Sequence, residues 1–217
     1  MGFIDISPAV HIETPVWPGD ERFGLAAKWS IEQGDSVTVG TVTSTTHIGA
    51  HIDAPSHVVA GAPSIEATPI EACVGTCLVL DVGEFVDRHR SPHGQVGLDA
   101  VRERASAFTT DPIDRLLLRH YPRPNLEWDV ELPGVSEEVM RWFAAQGGRL
   151  MGVDLASFDP ANSKTLDCHR AGIAAGVVLL EGLDLSCAPE GEAELIALPL
   201  AWQHADASPV RAVLRYL

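Results

Sequence analysis

From Phe3 onward apolar and polar positions begin in alternation, which predicts a half-buried strand running to Ile12. The stretch Thr14-Pro-Val-Trp-Pro-Gly-Asp20 then reads as a loop, because proline and glycine break both regular forms. Phe23 to Ile31 and Val37 to Thr45 alternate again, and Gly34-Asp35 between them predicts a hairpin turn. Cys77-Leu-Val-Leu-Asp-Val82 is a short apolar run of the kind that fills the centre of a sheet. Leu98 to Phe108 has helical spacing through Val101, Ala105 and Phe108, and Ile113 to His120 returns to strand. Ser136 is placed to cap a helix, with Glu137 and Glu138 in its first turn and Gly147-Gly148 ending it. Leu150 to Leu155 predicts a strand, Leu166 to Ala175 a helix, and Val177 to Leu180 another strand. Leu195 to Trp202 and Val210 to Tyr216 predict two closing strands. Strands outnumber helices, and they come both in hairpins and in strand-helix-strand order. The expected fold is α/β: one domain over residues 1–217 with a twisted mixed sheet and packed helices.

Within this pattern, the stretch His47-Ile-Gly-Ala-His-Ile-Asp-Ala-Pro-Ser-His57 gathers three histidines and an aspartate in eleven residues. Imidazole and carboxylate are ligands that divalent transition metals favour, and histidine is the usual general acid or base near neutral pH. The four polar positions are all odd, so a strand would align them on one face. At roughly 3.3 Å per residue, however, a straight strand would separate its ends by about 33 Å. A helix, at roughly 100° per residue, puts Asp53 and His57 nearly opposite His47 and His51. Gly49 and Pro55 permit a bend, so the segment is expected to curve until its odd-numbered side chains converge. Ile48, Ala50, Ile52 and Ala54 alternate with them and are expected to be buried.

Two further ligand candidates lie far along the chain, His169 in a predicted helix and Glu181 at the end of a predicted strand. Helix, turn and strand form an antiparallel unit, so these two residues can face each other at one end. A carboxylate ending a buried strand is costly unless paired or metal-bound. His11, His89, His93, His120 and His204 read as ordinary surface or core histidines.

Composition narrows the function classes. A net charge of -15, with no cluster of lysine or arginine, argues against nucleic-acid binding. The amino terminus lacks a signal-peptide pattern, and the longest apolar run, Ala171 to Leu180, is about half a membrane span. The expectation is a cytoplasmic protein with neither nucleic acid nor membrane as partner. Cys73 and Cys77 read as buried free thiols and Cys168 as packing.

The histidine motif, the distal pair His169 and Glu181, and the ending Ile196-Ala-Leu-Pro-Leu200 with Asp206-Ala-Ser-Pro-Val-Arg-Ala-Val-Leu214 closely resemble the bacterial kynurenine formamidases of the metal-dependent cyclase family. The resemblance runs from Ile4 to Leu214. The broader family often has threonine before the second histidine; Ala50 stands there in this chain, as the formamidase branch tends to show. The resemblance implies a cyclase-like, swivelling β/β/α fold that assembles as a homodimer. It implies two divalent metal ions, usually Zn2+, with Mn2+ or Co2+ compatible with the same donors. His47, His51 and Asp53 would bind the first ion, Asp53 would bridge to a second held by His169 and Glu181, and His57 would remain free as general acid/base. Trp17 matches an aromatic residue placed against the substrate, with its loop near the subunit boundary. The implied reaction is hydrolysis of N-formyl-L-kynurenine to L-kynurenine and formate. A second reading keeps the site and opens a cyclic amide such as isatin. A third is a non-catalytic metal-binding or sensor protein, against which the retained His57 counts.

Overall fold

The computed structural model of the chain describes residues 2–86 and 94–216. His89 and His93 lie outside the described residues. The strands, in chain order, are β1 (Phe3–Asp5), β2 (Gly24–Trp29), β3 (Val39–Thr43), β4 (His51–Asp53), β5 (Val74–Asp81), β6 (Gln95–Val96) and β7 (Arg115–Arg119). They continue with β8 (Gly134–Val135), β9 (Leu150–Val153), β10 (Val178–Glu181), β11 (Gly191–Ile196), β12 (Ala207–Pro209) and β13 (Val213–Arg215). Among the described residues three helices accompany them: α1 (Leu98–Ser106), α2 (Glu137–Ala145) and α3 (Asp167–Ala174).

Nine strands form one mixed sheet in the order β1-β13-β11-β5-β7-β9-β10-β4-β12. Its centre, β5-β7-β9-β10, is parallel, and the flanking pairs are antiparallel. The central strands are leucine-rich because both faces are covered. Alternation sorts their side chains: Leu78, Leu80, Leu116, Leu118, Met151, Val153 and Leu179 face the helices. Cys77, Val79, Leu117, Leu150, Val178 and Leu180 fill a second core on the other face. From the helices, Val101, Ala105, Val139, Met140 and Phe143 complete the first core. Each large side chain fully buried there contributes about 1.5–3 kcal/mol.

The sheet must curl. In a flat sheet β12 and β13 would stand seven strand spacings apart, about 34 Å at ~4.8 Å per step. Yet only three residues separate Pro209 from Val213, which caps their separation at about 14 Å. The two edges are therefore drawn together, and loops from both meet over one end of β4 and β10.

Several expected elements are shorter or shifted. The strand expected over Phe3–Ile12 stops at Asp5, since Pro8 cannot donate to a ladder. The segment expected over Leu195–Trp202 pairs earlier, at Gly191–Ile196, and Pro199 keeps the residues after it out of the sheet. The stretch Val210–Tyr216 is not one strand: pairing ends at Pro209 on one edge and resumes at Val213 near the other. Ser136 does precede α2, but its hydroxyl is buried without a partner and makes no cap hydrogen bond. The hairpin appears as expected, as the separate two-stranded ribbon β2-β3, with most of its side chains exposed.

Candidate metal centre

Register alone brings the first three side chains together. β4 pairs antiparallel with β10, so His51 stands opposite Glu181 and Asp53 opposite Leu179. His51, Asp53 and Glu181 therefore share the helix-facing side of the sheet, and all three are buried. Gly49 has a φ of 57°, which turns the chain just before β4 and lets His47 fold back toward Asp53. His47 Nδ1 stands 3.0 Å from Asp53 Oδ1. His169 arrives from the first turn of α3, which packs on the same face, with Nε2 3.4 Å from Asp53 Oδ2 and 3.0 Å from Glu181 Oε1. His51 Nε2 lies 3.5 Å from Asp53 Oδ1 and 3.4 Å from Glu181 Oε2. The five residues singled out in the sequence as ligand candidates thus converge around Asp53.

Each of the three imidazoles is fixed through its other nitrogen. His47 Nε2 is 3.1 Å from Asp206 Oδ2, His51 Nδ1 is 2.9 Å from the Gly49 carbonyl, and His169 Nδ1 is 2.6 Å from Asp159 Oδ2. An outer acceptor on one nitrogen orients the ring and leaves the other nitrogen's lone pair for a cation. Asp159 also accepts the backbone N–H groups of Cys168 and His169, tying α3 to the site. Asp159 carried no signal in the sequence. Asp206 opens the motif Asp206–Leu214 near the end of the chain, which by itself assigned it no role.

The inward-facing atoms are unsatisfied. His51 Nε2 and both oxygens of Asp53 are buried with no hydrogen-bond partner, despite ring nitrogens within 3.5 Å. Buried polar atoms are otherwise nearly always paired. Donor atoms of His51, Asp53 and Glu181 lie within 4.8 Å of one another, and so do those of His47, Asp53 and His57. Asp53 belongs to both groups. This set of imidazole nitrogens and carboxylate oxygens fits zinc, manganese or cobalt.

Protonation tells the same story. Burial disfavours a charged imidazole at His47, but Asp53 and Asp206 outweigh it and raise its pKa to about 9. Burial works likewise against His51 and His169, and the surrounding carboxylates still push both pKa values up. Burial raises the carboxyl pKa of Asp53, yet the neighbouring His169 and His47 hold it well below the usual range. The carboxylates thus favour positive charge at these imidazoles, a balance that bound cations would supply instead.

His57 differs from these. It ends the short 3-10 turn Pro55–His57 and reaches solvent. Its ring lies 4.2 Å from that of His47, centroid to centroid, and its Nδ1 lies 3.7 Å from Asp206 Oδ2. Burial pushes its pKa down. Above it opens a cavity of about 520 Å3, lined by His47, His51, His57 and His169 at the base and by Trp17 and Trp128 nearer the loops. His11, read as an ordinary histidine, also lines this cavity. His120 is buried beside Asp154, and His204 is exposed with a φ of 65°. Cys73, Cys77 and Cys168 are buried free thiols.

Residues 4–160 match the Cyclase family, described as "Putative cyclase". The chain belongs to the cyclase family. Solved structures with the same fold include a "Potential Metal-Dependent Hydrolase With Cyclase Activity", 24% identical, with a TM-score of 0.81 over 98% of this chain and 96% of that one. Isatin hydrolase A from Labrenzia aggregata, bound to benzyl benzoate, is 20% identical, with a TM-score of 0.81 over 98% and 93%. Isatin hydrolase A from Ralstonia solanacearum is 18% identical, with a TM-score of 0.82 over 98% and 91%. At these identities the likeness is one of fold. No helix among the described residues of this cyclase-family chain is long and apolar enough to cross a membrane.

Proposed function

We propose that the chain is a metal-dependent amidohydrolase that converts N-formyl-L-kynurenine to L-kynurenine and formate. The observation that carries this reading is the convergence of His47, His51, Asp53, His169 and Glu181 around buried atoms with no hydrogen-bond partner. These residues would hold two divalent cations, most simply Zn2+, with Asp53 between them. Bound there, the cations would supply Lewis-acid polarisation of the formyl oxygen and a water of lowered pKa.

The chain itself supplies proton handling and orientation. With its pKa depressed, His57 is largely neutral at pH 7 and can accept a proton. Passing that proton to the aniline nitrogen turns a poor amide leaving group into an amine. Asp206 stands beside both His47 and His57 and limits how their rings can turn. Trp17, at the cavity wall, offers an indole face to the aryl ring, an interaction worth about 1 kcal/mol beyond area burial.

A second reading, ring opening of a cyclic amide such as isatin, is favoured by the fold shared with two isatin hydrolases. Spectrophotometric assays with N-formyl-L-kynurenine and with isatin, each with and without a chelator, separate the two. The expected result is chelator-sensitive turnover of the formamide. Turnover of isatin alone would move the assignment to the second reading, and protein that binds no metal would sink both.

We also propose that the chain acts in the cytoplasm as a homodimer. Supporting the dimer, the ribbon β2-β3 leaves Leu25, Trp29 and Val42 exposed, and no other strand among the described residues extends it.

A further inference from the structure

Trp17 and Trp128 reach the cavity from separate segments. Trp17 opens the turn Trp17–Asp20, in which Asp20 N–H donates to the Trp17 carbonyl and Gly19 adopts a φ of 103°. Trp128 lies on the segment over residues 121–132. The two rings meet edge to face, with centroids 5.0 Å apart and planes at 73°.

The two indoles are not equally held. Trp17 is 38% exposed and flanked by Pro15, Val16 and Pro18. Trp128 packs against the helix-side core, and its segment is pinned at its start by Asp154 and at its finish by Leu132, whose carbonyl accepts the Ala161 N–H. Asp154 accepts the backbone N–H groups of His120 and Tyr121, the Tyr121 hydroxyl donates to Asp129 at 2.7 Å, and Asp129 accepts the Glu131 N–H at 2.9 Å. An edge-on contact favours one orientation of the ring it touches. The firmly seated indole therefore sets the pose of the exposed one, on a wall of the cavity whose base is the histidine cluster.

We propose that Trp128 is the positioning residue of an aryl-selective subsite: it holds Trp17 so that the cavity takes planar aryl amides over saturated amides of the same size. This inference rests on the reading of the cavity as an amide site, but it concerns binding and is independent of turnover.

Calorimetric titration of the metal-loaded protein with acetanilide and with N-cyclohexylacetamide, which have equal heavy-atom counts, tests it. The wild-type protein should prefer the aryl ligand by roughly three- to tenfold. Trp128→Ala should bring the two affinities to within about twofold, and Trp128→Phe should restore most of the preference. Trp128→Leu keeps apolar volume on the core without a π face and gives the same comparison should the alanine variant fail to fold. Preference retained in the alanine or leucine variant, or equal loss for both ligands, would overturn the proposal, as would no preference in the wild type. Assays with N-formyl-L-kynurenine keep the two readings apart. A wild-type protein that binds acetanilide selectively but leaves the formamide intact defeats the assigned reaction and leaves the subsite standing. Where turnover is present, Trp128→Ala should raise KM with kcat nearly kept.

Discussion

Asp159 Oδ2 lies 2.6 Å from His169 Nδ1, while His169 Nε2 on the far side of the ring lies 3.0 Å from Glu181 Oε1. One carboxylate thus fixes the tautomer of the neutral ring, so that loss of the second proton frees the lone pair of the opposite nitrogen for a cation. Asp159→Asn removes the charge and lets the amide offer N–H in place of oxygen. Such outer partners are worth about 10–100-fold in metal affinity. Competition against a chromophoric chelator should show a loss of that size, and unchanged affinity would refute the role.

His57 is the most solvent-exposed histidine of the cluster. His57→Ala is expected to keep the metals while turnover of N-formyl-L-kynurenine falls by about 10²–10⁴. Metal analysis and kcat on the same sample check it. Because His57 also lies near His47 and Asp53, a variant that lost metal in proportion to activity would make it a ligand instead.

Much of the fold could be read from the chain because its strongest signals are local. The apolar runs at Leu78–Leu80 and Leu116–Leu118 mark buried central strands without any tertiary information. The curl of the sheet could not be read, since it depends on which edge each closing strand joins, and Pro209 and Val213 look continuous in sequence. At the site, His47, His51 and Asp53 stood out through spacing. Asp159 and Trp128 did not: their partners, His169 and Trp17, are supplied by folding and by no periodicity. Glu181 opposite His51 is a matter of register, which the sequence constrains only through the bend at Gly49.

The charged histidines give the metal-free protein a defined pH dependence. His47 has a folded-state pKa of about 9, raised from its ordinary value of 6.5. A raised pKa stabilises the fold fully below 6.5, and that contribution is lost as pH climbs through about 9. Metal-free protein should therefore melt at progressively lower temperature between these two pH values. Metal binding needs neutral imidazole, so affinity should rise over the same window with release of protons. Thermal melts with and without Zn2+ check both; a metal-free melting temperature that rises with pH would contradict the charge assignment.

Leu25 and Val42 face each other across the β2-β3 ribbon, 64% and 60% exposed. Replacing both with lysine leaves the core untouched, and exposed substitutions of this kind usually shift stability by no more than about 0.5 kcal/mol. Light scattering should report a dimer for the wild type and a monomer for the double variant. A double variant that stayed dimeric would place the interface elsewhere.

Gly182 follows Glu181 with a φ of 66°, and a Cβ there would stand 2.1 Å from the Gly49 carbonyl oxygen. That carbonyl is the acceptor that orients His51 Nδ1, so the clash strikes the fold and the centre together. The left-handed backbone alone costs a non-glycine residue about 1–3 kcal/mol. Gly176 isolates that part: its φ is 75° and an added Cβ meets nothing within 4 Å. Gly176→Ala should therefore lose only the backbone cost and keep its metals. Gly182→Ala should lose more stability than Gly176→Ala and also bind metal more weakly, because moving the Gly49 carbonyl frees the His51 ring. Denaturant melts paired with metal titration separate the two effects. Equal losses in both variants would mean that the approach of Gly182 to Gly49 does not support the centre.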